Sequence, residues 1–128
     1  SPLHYGKLEA FTHFSEGYNP LCGDAISVYL SVKQGTIEKA SFESASCAIC
    51  TASASILLKA IEGTKKESFT SIQNEFSQIL EDGSKGQTDT LSPDVLAFQG
   101  IKQFPSRRNC ALLPWTTLKE ALDSGIKD

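Results

Sequence analysis

The sequence predicts an α+β fold: a small antiparallel β-sheet with α-helices packed on one face. Three observations lead there. Residues 24–33 alternate strictly, with Ile26, Val28, Leu30 and Val32 on one side and Ala25, Ser27, Tyr29 and Ser31 on the other, the pattern of a half-buried strand. Gln34-Gly35 then supplies a turn, and residues 36–44 return as a second strand with Ala40 and Phe42 inward, so the pair reads as a hairpin. Finally, three later stretches carry apolar residues at helical spacing.

The first helix is expected over residues 46–61, with Ser46 as N-cap and Gly63 beyond its end. Ile49, Ile56 and Ala60, with Ala52 and Ser53 between them, form its expected packing face. The second covers residues 64–80, where Phe69, Ile72, Phe76 and Ile79 recur every three or four positions. Residues 83–92 read as a polar loop. Ser92-Pro93-Asp94 begins a short helix by the logic of a serine cap and a proline at the first position, with Val95, Leu96, Phe98 and Ile101 buried. Gln103-Phe104-Pro105 breaks the chain, and a last helix spans residues 106–122. Pro114 lies within it and cannot donate to the carbonyl of Cys110, so a kink or restart is expected there. Residues 1–18 show no clear periodicity, and His4 and His13 read as surface or packing residues because nothing nearby pairs with them as ligands.

A chain of 128 residues reads as one domain, residues 1–128, long enough to bury a core without staples. A formal net charge of −3 argues against a nucleic-acid protein, which would present a basic face. No apolar run approaches the roughly 20 residues of a membrane span. No signal peptide is visible. Four cysteines are too few for a secreted disulfide framework, so reduced thiols in a cytoplasmic setting are expected.

The chemistry gathers at Asn19-Pro20-Leu21-Cys22-Gly23-Asp24, where a loop becomes a strand. In an extended chain residues two apart face the same side, so Cys22 and Asp24 can address one object together. The hairpin sets its first start beside its second end, which brings Cys22 and Asp24 close to Cys47. Cys47 falls at the start of a helix, where free N–H groups and the dipole favour a thiolate. With Cys110, three thiols and a carboxylate suggest a four-coordinate zinc or iron site. Cys47-Ala48-Ile49-Cys50 also matches C-x-x-C. A zinc ribbon would normally carry a second such pair, a thioredoxin-like motif should sit in a βαβ unit, and a zinc deaminase needs a His-x-Glu that is missing here.

Three motifs carry a resemblance over nearly the whole chain. They are Asn19-Pro20-Leu21-Cys22-Gly23-Asp24, then Ser46-Cys47-Ala48-Ile49 followed by Thr51-Ala52-Ser53-Ala54-Ser55, then Phe104-Pro105-Ser106-Arg107-Arg108-Asn109-Cys110-Ala111-Leu112-Leu113-Pro114-Trp115. In this order they resemble the NifU N-terminal/IscU iron–sulfur cluster assembly scaffold family. The nearer likeness is to the SufU branch, which has an insertion between its second and third cysteines. IscU proteins place a histidine just before the last cysteine, where this chain has Asn109.

The resemblance implies a SufE/NifU-like fold whose first helix precedes Ser1. It implies Cys22, Asp24, Cys47 and Cys110 as metal ligands, zinc in the resting site, and Cys22 as acceptor of persulfide sulfur from a SufS/IscS-like cysteine desulfurase. Such a protein is at most a sulfurtransferase. Scaffold-type relatives instead hold a transient [2Fe-2S] or [4Fe-4S] cluster on the same cysteines and hand it to downstream carriers or apo-proteins. A purely structural zinc domain is the remaining alternative. Cys50 departs from the motif, where a small residue is usual, and is either a packed small side chain or a spare thiol. Arg107 matches a family arginine near the metal, with a solvated surface charge as its alternative.

Overall fold

The computed structural model describes residues 4–21, 23–82 and 91–124. The expected polar loop falls largely outside these residues, and so does Cys22. Three antiparallel strands form one sheet in the order β1-β2-β3: β1 (His13–Asn19), β2 (Asp24–Lys33) and β3 (Thr36–Ala45). The helices are α1 (Ala48–Ile61), α2 (Phe69–Asp82) and α3 (Pro105–Ser124), with short three-ten turns at Lys66–Ser68, Pro93–Phe98 and Ile101–Gln103.

The expected hairpin is β2–β3. Val28 pairs with Phe42 and Leu30 with Ala40, all four buried on the side that the helices cover. Strand β1 is a correction, because residues 1–18 carried no strand signal. Its helix-facing positions are His13, Ser15, Gly17 and Asn19, paired with Leu30, Val28, Ile26 and Asp24. Small and polar residues stand where alternation would demand apolar ones. The packing explains this: a β-carbon on Gly17 would run into Thr117 Oγ1 and crowd Leu113, so α3 crosses β1 too closely for a larger residue.

Helix α3 lies on β1 and β2, and α1 on β3 and α3. The Trp115 ring stacks on Phe76 of α2 at 4.4 Å between centroids. Helix α1 buries a broader face than the expected one. Ser53, Ile56 and Ala60 are buried as expected, joined by Cys50, Ala54, Leu57, Leu58 and Ile61, whereas Ile49 is half-buried and Ala52 exposed. A helix wedged between a strand and a second helix presents a broad face, and Ile49 and Ala52 lie on its margin. The helix also starts later than expected. Cys47, not Ser46, is the N-cap residue, and the Ser46 hydroxyl meets Thr51 Oγ1 at 3.3 Å instead.

The turn at Pro93–Phe98 begins as expected, with Ser92 Oγ accepting from the Asp94 N–H at 3.2 Å. Val95 and Phe98 are buried, but Leu96 is 42% exposed and Ile101 half-buried, because a three-residue repeat turns Leu96 away from the core. Helix α3 continues through Pro114 as one helix, so the chain does not restart there. Beside the proline, the Ser53 hydroxyl of α1 donates to the Ala111 carbonyl at 2.6 Å, and Trp115 Nε1–H donates to Ser53 Oγ at 3.0 Å. These bonds from outside support the helix where the proline weakens its own ladder.

On the far face of the sheet Phe11, Phe14 and Tyr29 cluster with ring centroids 5.1–5.7 Å apart. Along the outer edge of β3, Phe42 N–H donates to the His4 carbonyl at 2.9 Å and Gly6 N–H to the Phe42 carbonyl at 2.7 Å. The edge is thereby covered.

Candidate metal centre

The β1–β2 turn is built around Asn19. Its Oδ1 accepts from Leu21 N–H at 3.1 Å and its carbonyl from Gly23 N–H at 2.7 Å. Gly23 has φ +75°, a conformation that side chains rarely adopt, which is why glycine separates the two candidate donors. Asp24 then opens β2 and is only 2% exposed.

The β2–β3 ladder pairs Ala25 with Ala45, so the link from Ala45 to α1 passes Asp24. Asp24 Oδ1 accepts the backbone N–H of Cys47 at 3.0 Å. The carboxylate thus caps α1 from another strand, in place of any bond from the N-cap side chain itself. Its other oxygen, Oδ2, is buried without a hydrogen-bond partner among the described residues. Helix α3 contributes Cys110, 4% exposed, while Cys47 is exposed. Ligand atoms of Asp24, Cys47 and Cys110 all lie within 4.8 Å of one another.

This arrangement fits a metal ion. A buried carboxylate oxygen without a partner is costly unless a cation answers it, and two sulfurs stand beside it. Bond lengths of about 2.0–2.3 Å around tetrahedral zinc put its donors roughly 3.3–3.8 Å apart, a spacing these side chains reach by closing in by about 1 Å or less. Cys22, the remaining expected ligand, lies outside the described residues, between Leu21 and Gly23 of the same turn.

The other candidates are not among these three residues. Cys50 is fully buried, and burial pushes its thiol up to about 11, with Asp24 and Cys47 adding to the rise and a hydrogen bond from Ser46 opposing it. Arg107 is exposed, its guanidinium 4.9 Å above the Phe104 ring. His4 pairs with Glu62 at 2.9 Å, and buried His13 meets Thr12 Oγ1 at 2.7 Å, in keeping with packing roles. Sequence reasoning missed Asn19 as more than a turn former. It is buried opposite Asp24, and its Nδ2 has no partner among the described residues. The signal was an amide directly before Pro20, at the end of an unrecognised strand.

The family model described as the NifU-like N-terminal domain matches residues 1–111. The chain belongs to this family. Among NifU-like relatives, the iron–sulfur cluster assembly scaffold protein IscU of Thermotoga maritima is 39% identical over 119 residues, 91% of this chain and 81% of the relative. The zinc-dependent sulfurtransferase SufU of Bacillus subtilis is 36% identical over 109 residues, 84% and 70% of the two chains. A crystal structure of a putative iron–sulfur scaffold protein for the SUF system from Fervidobacterium islandicum superposes with a TM-score of 0.82 at 31% identity, covering 94% of this chain and 87% of that one. The NifU-like fold expected from the three motifs is therefore the fold of this chain. Among the described residues no helix is long and apolar enough to cross a membrane.

Proposed function

We propose that this chain accepts sulfur from a cysteine desulfurase during iron–sulfur cluster assembly, at a zinc site of Cys22, Asp24, Cys47 and Cys110. The observation that carries the reading is Asp24 Oδ2, buried and unpartnered beside two thiols. The SufU relative, named a zinc-dependent sulfurtransferase, supports zinc as the resting ligand.

The residues divide the work. Cys47 N–H fixes Asp24 Oδ1, which leaves Oδ2 free to serve as the ligand oxygen. Cys110 is held on a helix tied to α1 through Ser53. Zinc held there would keep the thiols ionised and guard them from oxidation. The Cys22 thiolate attacks the outer sulfur of the desulfurase persulfide, takes that sulfur, and frees the partner's cysteine thiolate. One oxygen donor in place of a fourth thiolate eases release of the ligand set.

Metal analysis of protein purified without added metal, beside a desulfurase turnover assay, tests this. Tight zinc with stimulated turnover supports it. Zinc-free protein that leaves turnover unchanged overturns it. The relatives named as scaffolds favour a second reading, in which the same cysteines assemble a transient [2Fe-2S] or [4Fe-4S] cluster for downstream carriers and apo-proteins. Anaerobic reconstitution with iron and sulfide giving a stable, transferable cluster would favour it. Cys22→Ala separates both from a structural zinc site, since only the structural site loses its fold with that residue.

A further inference from the structure

Cys47 and Cys50 occupy unlike positions at one helix end. Cys47 is the exposed N-cap of α1, and Cys50 lies three residues on with no exposed surface. With a 1.5 Å rise and 3.6 residues per turn, α-carbons three apart on a helix lie about 5 Å from one another. A disulfide needs α-carbons about 4.4–6.8 Å apart, so the spacing is compatible with one. An outer thiol with a sheltered one behind it, across a C-x-x-C at a helix start, suits two-step thiol exchange: the outer sulfur takes a group and the inner one displaces it.

We propose that Cys50 is the resolving thiol for sulfane sulfur carried on Cys47, so that the pair reduces this sulfur to sulfide. The proposal rests on the sulfur-accepting reading only for the source of that sulfur. It enters by exchange, in which the Cys47 thiolate takes the outer sulfur of a persulfide donor and leaves the donor as thiolate. The Cys50 sulfur then attacks the inner sulfur of the Cys47 persulfide. The Cys47–Cys50 bond forms, the bond to the terminal sulfur breaks, and that sulfur leaves with the Cys50 proton as hydrogen sulfide. Cys50 is oxidised from thiol to disulfide and the terminal sulfur is reduced to sulfide, so atoms and electrons balance without another reductant. Sulfide is the oxidation level that cluster assembly consumes. The disulfide must then be reduced by an external dithiol before a second turnover.

The test uses the full chain, metal-free and anaerobic, loaded with glutathione persulfide and no desulfurase. After the donor is removed and thiols are alkylated, the tryptic peptide Ala40–Lys59, which holds both cysteines, is weighed and released sulfide is measured. The expected wild-type peptide is unalkylated and lighter by two hydrogens, with sulfide released. Cys50→Ser and Cys50→Ala should retain one extra sulfur on the alkylated peptide and release sulfide about tenfold more slowly or worse. A wild-type peptide that keeps its persulfide, or that has lost sulfide with both thiols still alkylated, overturns the proposal, and this readout needs no variant to fold. Variants that release sulfide at the wild-type rate overturn it as well. A parallel reaction with cysteine desulfurase and cysteine addresses the other reading: no sulfur uptake there overturns sulfur acceptance and leaves the glutathione persulfide result standing.

Discussion

The backbone N–H of Cys47 donates to Asp24 Oδ1 at 3.0 Å, so one carboxylate both caps α1 and sets a ligand oxygen within 4.8 Å of the sulfurs of Cys47 and Cys110. The two tasks are separable. Asp24→Asn keeps an oxygen for the cap but loses the charge. Zinc affinity, measured by chelator competition, should fall at least about tenfold, about 1.4 kcal/mol. The melting temperature of the metal-free protein should hold or rise, since an unanswered buried charge is removed. A drop of many degrees in the metal-free protein would mean that the charge itself holds the fold.

Ser53 joins α1 to α3 through two buried bonds, one to the Ala111 carbonyl and one from Trp115 Nε1. Ser53→Ala leaves both groups without this partner and should cost about 1–3 kcal/mol in denaturant unfolding. Trp115 fluorescence reports the transition directly. An unchanged midpoint would show that the two groups find other partners.

Gly17 is where α3 touches β1. Gly17→Ala should destabilise by about 1–3 kcal/mol through overpacking. Thr117→Ala removes the obstructing hydroxyl, so the double variant should be more stable than the two single costs predict, by about 0.5 kcal/mol or more. Strict additivity would place the clash elsewhere.

The Tyr29 hydroxyl donates to Glu43 Oε1 at 2.7 Å, and that carboxylate, with burial, raises the phenol from 10.0 to about 12. The bond's contribution to stability is complete below about pH 10 and disappears as pH climbs through about 12, because only the unfolded chain ionises between them. Alkaline titration followed by tyrosinate absorbance should show one late tyrosine. Glu43→Gln should bring it down toward the ordinary value.

The strong periodicities were legible in the sequence: the β2–β3 hairpin and the Phe69, Ile72, Phe76, Ile79 stripe are in the structure. Strand β1 was not, because its inward residues answer to a helix distant in sequence. Nor was the unbroken α3, since its support at Pro114 comes from Ser53, a residue of another helix. At the centre, the approach of Asp24 to Cys47 follows from hairpin geometry alone. Cys110 arrives on α3, whose place is decided by tertiary packing, and no local pattern announces it. Only the motif resemblance linked it to the other two.

The Ser53 contacts that fix α3 on α1 use no donor atom of the centre, and Asp24 meets α1 through its capping oxygen rather than the unpartnered one. Asp24, Cys47 and Cys110 therefore stand together by the packing of the scaffold. On the proposed zinc or cluster reading, loading and unloading would be local events at a standing cradle, with no refolding of the chain around it.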